Sequence, residues 1–292
     1  MIDISKLRFS RVTVNGVTLH VAEAGPEAGP LVILVHGFPE FWFGWRNQIL
    51  PLAQAGFHVV VPDQRGVNLS QKPKGVAAYD LDQLAADVVA LAGHYGHEHF
   101  SLVGHDWGAI AGWWAAQNFP QRIQRFVAIS AGHPAVWADG FRNNPRQRRK
   151  SFYVRLFQIP WLPEQIMASR RFKALADAVS DTAVPGTVGE AELAHYREAW
   201  SQPGALTATV NWYRAVWRRT LLPPKEYRVR VPTMMVWGMR DRYGEPELAK
   251  ASVALCDQGE LVRFENATHW LQHDEPDRLN ALLLEFLNRP LD

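Results

Sequence analysis

The 292 residues are 47% hydrophobic, enough to bury the core of one large domain or of a domain carrying an insertion. A formal net charge of +2 removes any electrostatic case for nucleic acid, and the aromatic and basic residues form no base-stacking pattern. The single cysteine, Cys256, excludes an intramolecular disulfide, fits a reducing compartment, and reads as a small buried hydrophobe rather than a catalytic thiol. The opening stretch MIDISKLRFS lacks a charged start followed by an apolar core, and no window approaches a membrane-spanning length. The expectation is therefore a soluble, cytoplasmic protein, monomer or homodimer, without a nucleic-acid or membrane partner.

In chain order, alternating segments from about Arg8 to Val14 and Val17 to Glu23 flank Asn15-Gly16 and predict a β-hairpin. Short continuous apolar runs follow at Leu31–Val35, Val59–Val61, Phe100–Val103, Phe126–Ile129 and Met234–Trp237, the pattern of buried parallel strands. Helical periodicity is expected over Trp45–Ala55, Leu81–Tyr95, Ala109–Asn118 and Glu275–Asn288, so the alternation predicts a doubly wound α/β sheet. Between residues 132 and 230 the alternation stops. That stretch is helix-rich and Trp-rich, punctuated by Pro160, Pro163, Pro185 and Pro203, and reads as a helical cap over the carboxyl edge of the sheet. The core would then comprise residues 1–131 and 231–292. No internal repeat or low-complexity tract interrupts this plan. Arg142, Arg146, Arg148, Arg149 and Lys150 place five positive charges within nine residues, and a solvated cap face is the favoured reading over an anion site.

Gly104-His105-Asp106-Trp107-Gly108 lies between a predicted strand and a predicted helix, with small residues at both ends. It has the shape of a nucleophile elbow with a carboxylate in the place usually held by serine. Taken alone it reads equally well as a buried loop in which Asp106 caps the helix. Asp241 follows the strand ending Val236-Trp237-Gly238, and His269 follows the next apolar stretch. The order nucleophile, acid, histidine suits an imidazole base oriented by a carboxylate. Separately, Asp241 reads as a turn residue beside Arg240 and Arg242, and His269 as a loop histidine; three such residues in loops after strands favour the triad. No G-x-S-x-G occurs, which leaves a serine esterase without its nucleophile. His36-Gly37-Phe38-Pro39 sits directly after Leu31–Val35, where backbone N–H groups of Phe38 and Trp107 would form an oxyanion hole. His36 would rigidify that loop, while His94, His105 and His133 read as structural.

The segments HGFPEFWFGWRNQI, DQRGVNLSQKP, GHDWG and THWLQHDEP, at spacings that span essentially the whole chain, resemble the epoxide hydrolases of the α/β-hydrolase superfamily. Haloalkane and fluoroacetate dehalogenases are their relatives and share the Asp nucleophile. The resemblance implies an α/β-hydrolase fold, a mostly parallel sheet flanked by helices with an inserted helical cap, and hydrolysis of epoxides to vicinal diols through an ester on Asp106, without cofactor or metal. It also implies two cap tyrosines that bind and protonate the epoxide oxygen. Tyr153, in SFYVRLFQIPWLPE, and Tyr213, in Asn211-Trp212-Tyr213-Arg214, match their surroundings. Both also read as two of seven tyrosines packing in a Trp-rich cap. A phenol with a pKa of about 10 is a useful donor to an epoxide alkoxide, whereas halide departure needs only stabilising N–H donors.

Departures from the dehalogenase patterns point the same way. Phe38 stands where many haloalkane dehalogenases carry a halide-binding Asn, and Trp107 and Ile110 where fluoroacetate dehalogenases carry arginines. Tyr153 replaces the expected His-Trp halide site. Trp107 fits both groups, so a haloalkane or haloacid dehalogenase is the alternative, and a non-catalytic binding protein has no need of the full triad. The 12 Trp and 14 Phe suggest an apolar pocket for a small apolar epoxide lined by Phe38, Trp107, Tyr153 and Tyr213.

Overall fold

Asn15 and Gly16 adopt positive φ angles of 46° and 71° and close the two-residue turn between β1 (Arg8–Val14) and β2 (Val17–Ala24). The Asn-Gly pair is suited to that turn because it tolerates left-handed backbone at both positions. In the computed structural model, which describes residues 2–290, six further strands complete one sheet. They are β3 (Leu31–Val35), β4 (His58–Pro62), β5 (Phe100–His105), β6 (Ile123–Ile129), β7 (Thr233–Gly238) and β8 (Gly259–Phe264). Their order is β1-β2-β4-β3-β5-β6-β7-β8, antiparallel at β1/β2 and β2/β4 and parallel elsewhere. Every residue of β3, β4, β5 and β7 is buried, which is why these strands read as unbroken apolar runs.

Two sequence expectations change. Trp45–Ala55 is not one helix: Trp42–Trp45 forms a 3₁₀ turn and the α-helix covers only Ile49–Gln54. All four residues of that turn are buried, so aromatic packing fixes the chain there more strongly than helical periodicity. β8 has no counterpart among the expected strands. It lies at the sheet edge, and only Phe264 among its residues is fully buried, so it carries no apolar run. The helices Leu81–His94, Trp107–Asn118 and Pro276–Leu287 fall close to their expected positions, the first capped by Asp80 accepting from the Asp82 amide.

Between β6 and β7 the chain contributes no strand to the sheet. It runs instead through helices Pro134–Asn143, Pro145–Lys150, Phe152–Leu156, Leu162–Ser180, Glu190–Trp200 and Ala205–Arg218. Indole N–H groups tie this layer to the loops beyond the strands: Trp200 donates to the Pro39 carbonyl at 2.6 Å and Trp212 to the Arg65 carbonyl at 3.3 Å. Their partner loops follow the carboxyl ends of β3 and β4, the edge at which parallel sheets hold ligands. Among the described residues no helix is long and apolar enough to cross a membrane.

Candidate active site

β5 delivers Asp106 to the carboxyl edge of the sheet at φ 49° and ψ −117°, a conformation that costs a non-glycine residue on the order of 1–3 kcal/mol. The turn is possible because its neighbours lack side chains. A Cβ on Gly108 would stand 1.9 Å from the Val35 carbonyl oxygen, and one on Gly37 2.4 Å from the Asp106 Cβ. The carboxylate is thereby held away from the helix end, and it makes no side-chain cap bond to the helix Trp107–Asn118. The capping reading of Asp106 is not the arrangement adopted.

The Phe38 amide donates to Asp106 Oδ1 at 2.8 Å. Its loop is braced by His36, whose Nδ1 lies 2.9 Å from the Gly37 carbonyl and whose Nε2 accepts from the Gln64 amide at 3.0 Å. Asp106 Oδ2 faces His269 Nε2 at 3.6 Å. On its other side His269 Nδ1 is 2.8 Å from Asp241 Oδ2. Asp241 Oδ1 accepts from the Tyr243 and Gly244 amides at 2.6 and 3.0 Å, which fixes the carboxylate in its turn after β7. Burial alone would raise the Asp106 pKa, but the hydrogen bond and charge of His269, the charge of His105 and the Phe38 amide hold it below 3.8. Burial alone would likewise discharge His269, yet the Asp241 carboxylate and hydrogen bonds to both carboxylates push its pKa up to about 10. The three residues form an ionised line: carboxylate, imidazolium, carboxylate.

Tyr153 and Tyr213 come from the helices Phe152–Leu156 and Ala205–Arg218, and their rings lie 5.8 Å apart. Burial raises both phenol pKa values, and the Asp106 charge raises them further, so each keeps its proton at neutral pH. Tyr213 also packs edge-on against Phe38 at 5.5 Å and Trp107 at 4.7 Å. Two cavities meet here, sharing Asp106, Tyr153, Tyr213, Tyr243 and His269 as walls. One extends along Ile110, Trp137, Val216 and Trp217, the other along Phe38, Phe157, Met167 and Leu175. Both are lined mainly by apolar side chains, and among the described residues no group of His, Cys, Asp and Glu is arranged to hold a metal ion.

A profile of the family described as alpha/beta hydrolase fold matches residues 30–276. The chain is 42% identical over 276 residues to the AB hydrolase superfamily protein YfhM of Bacillus subtilis (strain 168), covering 94% of this chain and 96% of that one. It is 34% identical over 285 residues to Epoxide hydrolase 4 of Mus musculus, covering 96% of this chain and 79% of the other. Its backbone matches the crystal structure of Bacillus megaterium epoxide hydrolase in complex with an inhibitor at a TM-score of 0.87 and 30% identity, over 96% of this chain and all of that one. The chain belongs to the epoxide hydrolases of the α/β-hydrolase superfamily.

This hydrolase carries a polar cluster behind Asp106 whose contacts no single motif reveals, although Glu40, His105, Gln272 and His273 all lie within the quoted motifs. Glu40 is buried and receives Tyr196 Oη and His273 Nε2 at 2.6 and 2.7 Å on one oxygen, and Gln272 Nε2 and His105 Nδ1 at 3.0 and 3.1 Å on the other. Burial alone would protonate Glu40, but the charges and hydrogen bonds of His273 and His105 hold its carboxyl well below 4.5. His105 reaches the other way too, with Nε2 2.9 Å from the His269 carbonyl, so this structural histidine links the cluster to the triad. The partners come from three separate segments, and no periodicity connects them. His133 caps Pro134–Asn143 and faces Gln117 at 2.9 Å, while His94 lies exposed in the last turn of Leu81–His94. Cys256 is partly buried, and burial pushes its thiol pKa up to about 11.

The basic cluster divides. Arg142, Arg146, Arg148 and Arg149 are exposed, as a solvated face requires, but Lys150 is not. It turns inward to the turn that carries Asp241, donating to the Asp241 carbonyl at 2.8 Å. The sequence reading misplaced Lys150 because charge density along the chain does not report which side of a short helix faces the core.

Proposed function

We propose that this hydrolase converts small apolar epoxides to vicinal diols through a covalent ester on Asp106, with residues 132–230 acting as a cap on a core of 1–131 and 231–292. The observation that carries this reading is the asymmetry of the Asp106 carboxylate. Oδ1 is occupied by the Phe38 amide, whereas Oδ2 faces His269, and the residue lines the cavities shared with both tyrosines. Oδ2 is then the nucleophile. It attacks an epoxide carbon, the C–O bond breaks, and the ring oxygen takes a proton from the Tyr153/Tyr213 pair, which regains it from solvent. With the Asp106 charge removed by ester formation, His269 gives up its proton to solvent, and water enters between its Nε2 and the ester carbon. His269 accepts its proton, hydroxide adds to the carbonyl, and the oxyanion develops on Oδ1 against the N–H groups of Phe38 and Trp107. Collapse expels the diol oxygen, which takes the proton from His269 and leaves Asp106 as a carboxylic acid; that proton passes to His269 and restores the carboxylate–imidazolium pair.

The two apolar cavities on either side of Asp106 support substrates bearing an apolar substituent on each epoxide carbon, with Phe38, Trp107, Tyr153 and Tyr213 as the contact surface. A single turnover in ¹⁸O-labelled water tests the route. Label is expected in the Asp106 carboxylate and not in the first diol released; label in that diol would refute the ester. Exposing a His269→Gln variant to epoxides, and separately to haloalkanes and haloacetates, sorts the chemistry by intact mass. A gain of one whole epoxide on Asp106 is expected, and an adduct formed only with loss of hydrogen halide would mean dehalogenation instead.

A further inference from the structure

We propose that Gln147 and Lys150, two cap side chains, are positioning residues for the ester-hydrolysis step, because together they fix the turn that presents Asp241 to His269. The inference rests on the reading that His269 activates water against an Asp106 ester. Both residues lie on the short helix Pro145–Lys150, whose start is set by Asn144 Oδ1 accepting the Arg146 and Gln147 amides at 2.9 and 3.3 Å. A spacing of three residues places them on one side of the helix. That side faces the turn 241–245.

The contacts grip successive peptide units of the turn at both ends. Gln147 Nε2 donates to the Tyr243 carbonyl at 3.0 Å, and the N–H at the other end of that peptide, from Gly244, donates to Asp241 Oδ1 at 3.0 Å. In the next peptide, Lys150 Nζ donates to the Gly244 carbonyl at 2.8 Å while Gln147 Oε1 accepts the Glu245 N–H at 2.8 Å. Lys150 also donates to the Asp241 carbonyl at 2.8 Å and pairs with the Glu245 carboxylate at 3.1 Å. A peptide unit is planar, so rotating its carbonyl rotates its N–H. Releasing Gln147 therefore frees the Gly244 amide that aims Asp241, and releasing Lys150 frees the two flanking peptide units at the Asp241 and Gly244 carbonyls that hold this pair of amides in place; Asp241 in turn aims His269. Gln147 is fully buried, and its Nε2 also donates to Ser151 Oγ at 2.7 Å, directly before the helix Phe152–Leu156 that carries Tyr153. Lys150 has no such contact toward Tyr153, which allows its effect to be separated by reaction step.

Rapid-quench kinetics read by intact mass measure formation and decay of the Asp106 ester, with an epoxide as the probe. In Lys150→Met, ester decay is expected to slow about tenfold, the scale on which small misplacements of catalytic groups act, while formation stays within about twofold. Lys150→Arg, which keeps a cation and its donors, is expected to restore decay to within about threefold of the unaltered rate. Gln147→Leu is expected to slow both steps, because it also loosens the approach to Tyr153. Arg148→Met, an exposed change on the same helix, controls for general damage and is expected to alter neither step. Unchanged ester decay in Lys150→Met overturns the proposal alone. Equal losses in formation and decay accompanied by a lowered thermal midpoint would also overturn it, as ordinary destabilisation. Absence of any ester in the unaltered protein would overturn the reaction scheme and this inference with it.

Discussion

At the scale of single residues, the triad holds a charge that the proposed ester formation removes. His269 is held protonated by two carboxylates, with its pKa raised from 6.5 to about 10, yet water activation requires the neutral imidazole. Esterifying Asp106 converts one of those carboxylates to a neutral group, so the His269 pKa falls when the base is needed. Asp106→Asn imitates the ester, and an NMR titration of His269 in that variant is expected to give a lower pKa than in the unaltered protein; an equal or higher value would contradict the coupling. The linked stability has a definite sign. The raised His269 pKa gives stabilisation that is complete below pH 6.5 and lost as pH rises through about 10. Asp106, with a depressed pKa, contributes above pH 3.8 and loses that contribution as pH falls through its folded value. Tyr153→Phe and Tyr213→Phe together are expected to slow ester formation by about 100-fold or more, measured by rapid quench, since general-acid assistance is removed. The grouping of Asp106, Asp241 and His269 was legible from sequence because both carboxylates follow apolar strands in short loops and the histidine comes after them in the order the chemistry needs. Glu40 was not, since its importance comes from partners as distant as His273, and neither was the inward turn of Lys150.

At the scale of elements, the elbow sets the tightest demands. Gly108→Ala would drive a Cβ to 1.9 Å from the Val35 carbonyl, backbone against backbone, where no flexible side chain can give way. A loss of about 1–3 kcal/mol is expected, seen as a fall in thermal midpoint of several degrees, and activity is expected to fall with it as β3 and the helix Trp107–Asn118 move apart. An unaltered midpoint would mean the elbow relaxes more easily than its geometry implies. Elements with a strong local signal were readable: the Asn15-Gly16 hairpin and the apolar runs of β3 to β5. β8 and the 3₁₀ turn Trp42–Trp45 were hidden because neighbouring packing, not local pattern, determines them. The same reason separates the Pro145–Lys150 helix from its reading as a solvated face, for a short helix has an inner side that composition cannot reveal.

At the scale of the whole molecule, Asp106 lies where two apolar cavities join, one along the helix Ala205–Arg218 and the other along Leu162–Ser180. Epoxides with an apolar group on each carbon are therefore expected to show higher kcat/KM than terminal epoxides of equal size, because both cavities contribute binding only to the former. Met167→Trp, which fills the second cavity, is expected to reduce that preference several-fold while leaving terminal epoxides nearly unaffected; a uniform loss across both classes would argue against divided binding. Sequence alone placed helices between β6 and β7 but gave no sign that they would enclose two cavities, since enclosure depends on how far apart in the chain the walls originate. The Glu40 cluster shows what such distances entail during synthesis. Its carboxylate leaves the ribosome early, Tyr196 follows more than 150 residues later, and His273 arrives 233 residues after Glu40. Until then the nascent chain has only His105 and Tyr196 of the four partners, and burying this carboxylate carries part of the cost of an under-satisfied charge. A polypeptide ending before Gln272 would lack two of the four donors to Glu40, and water would take their place on that carboxylate.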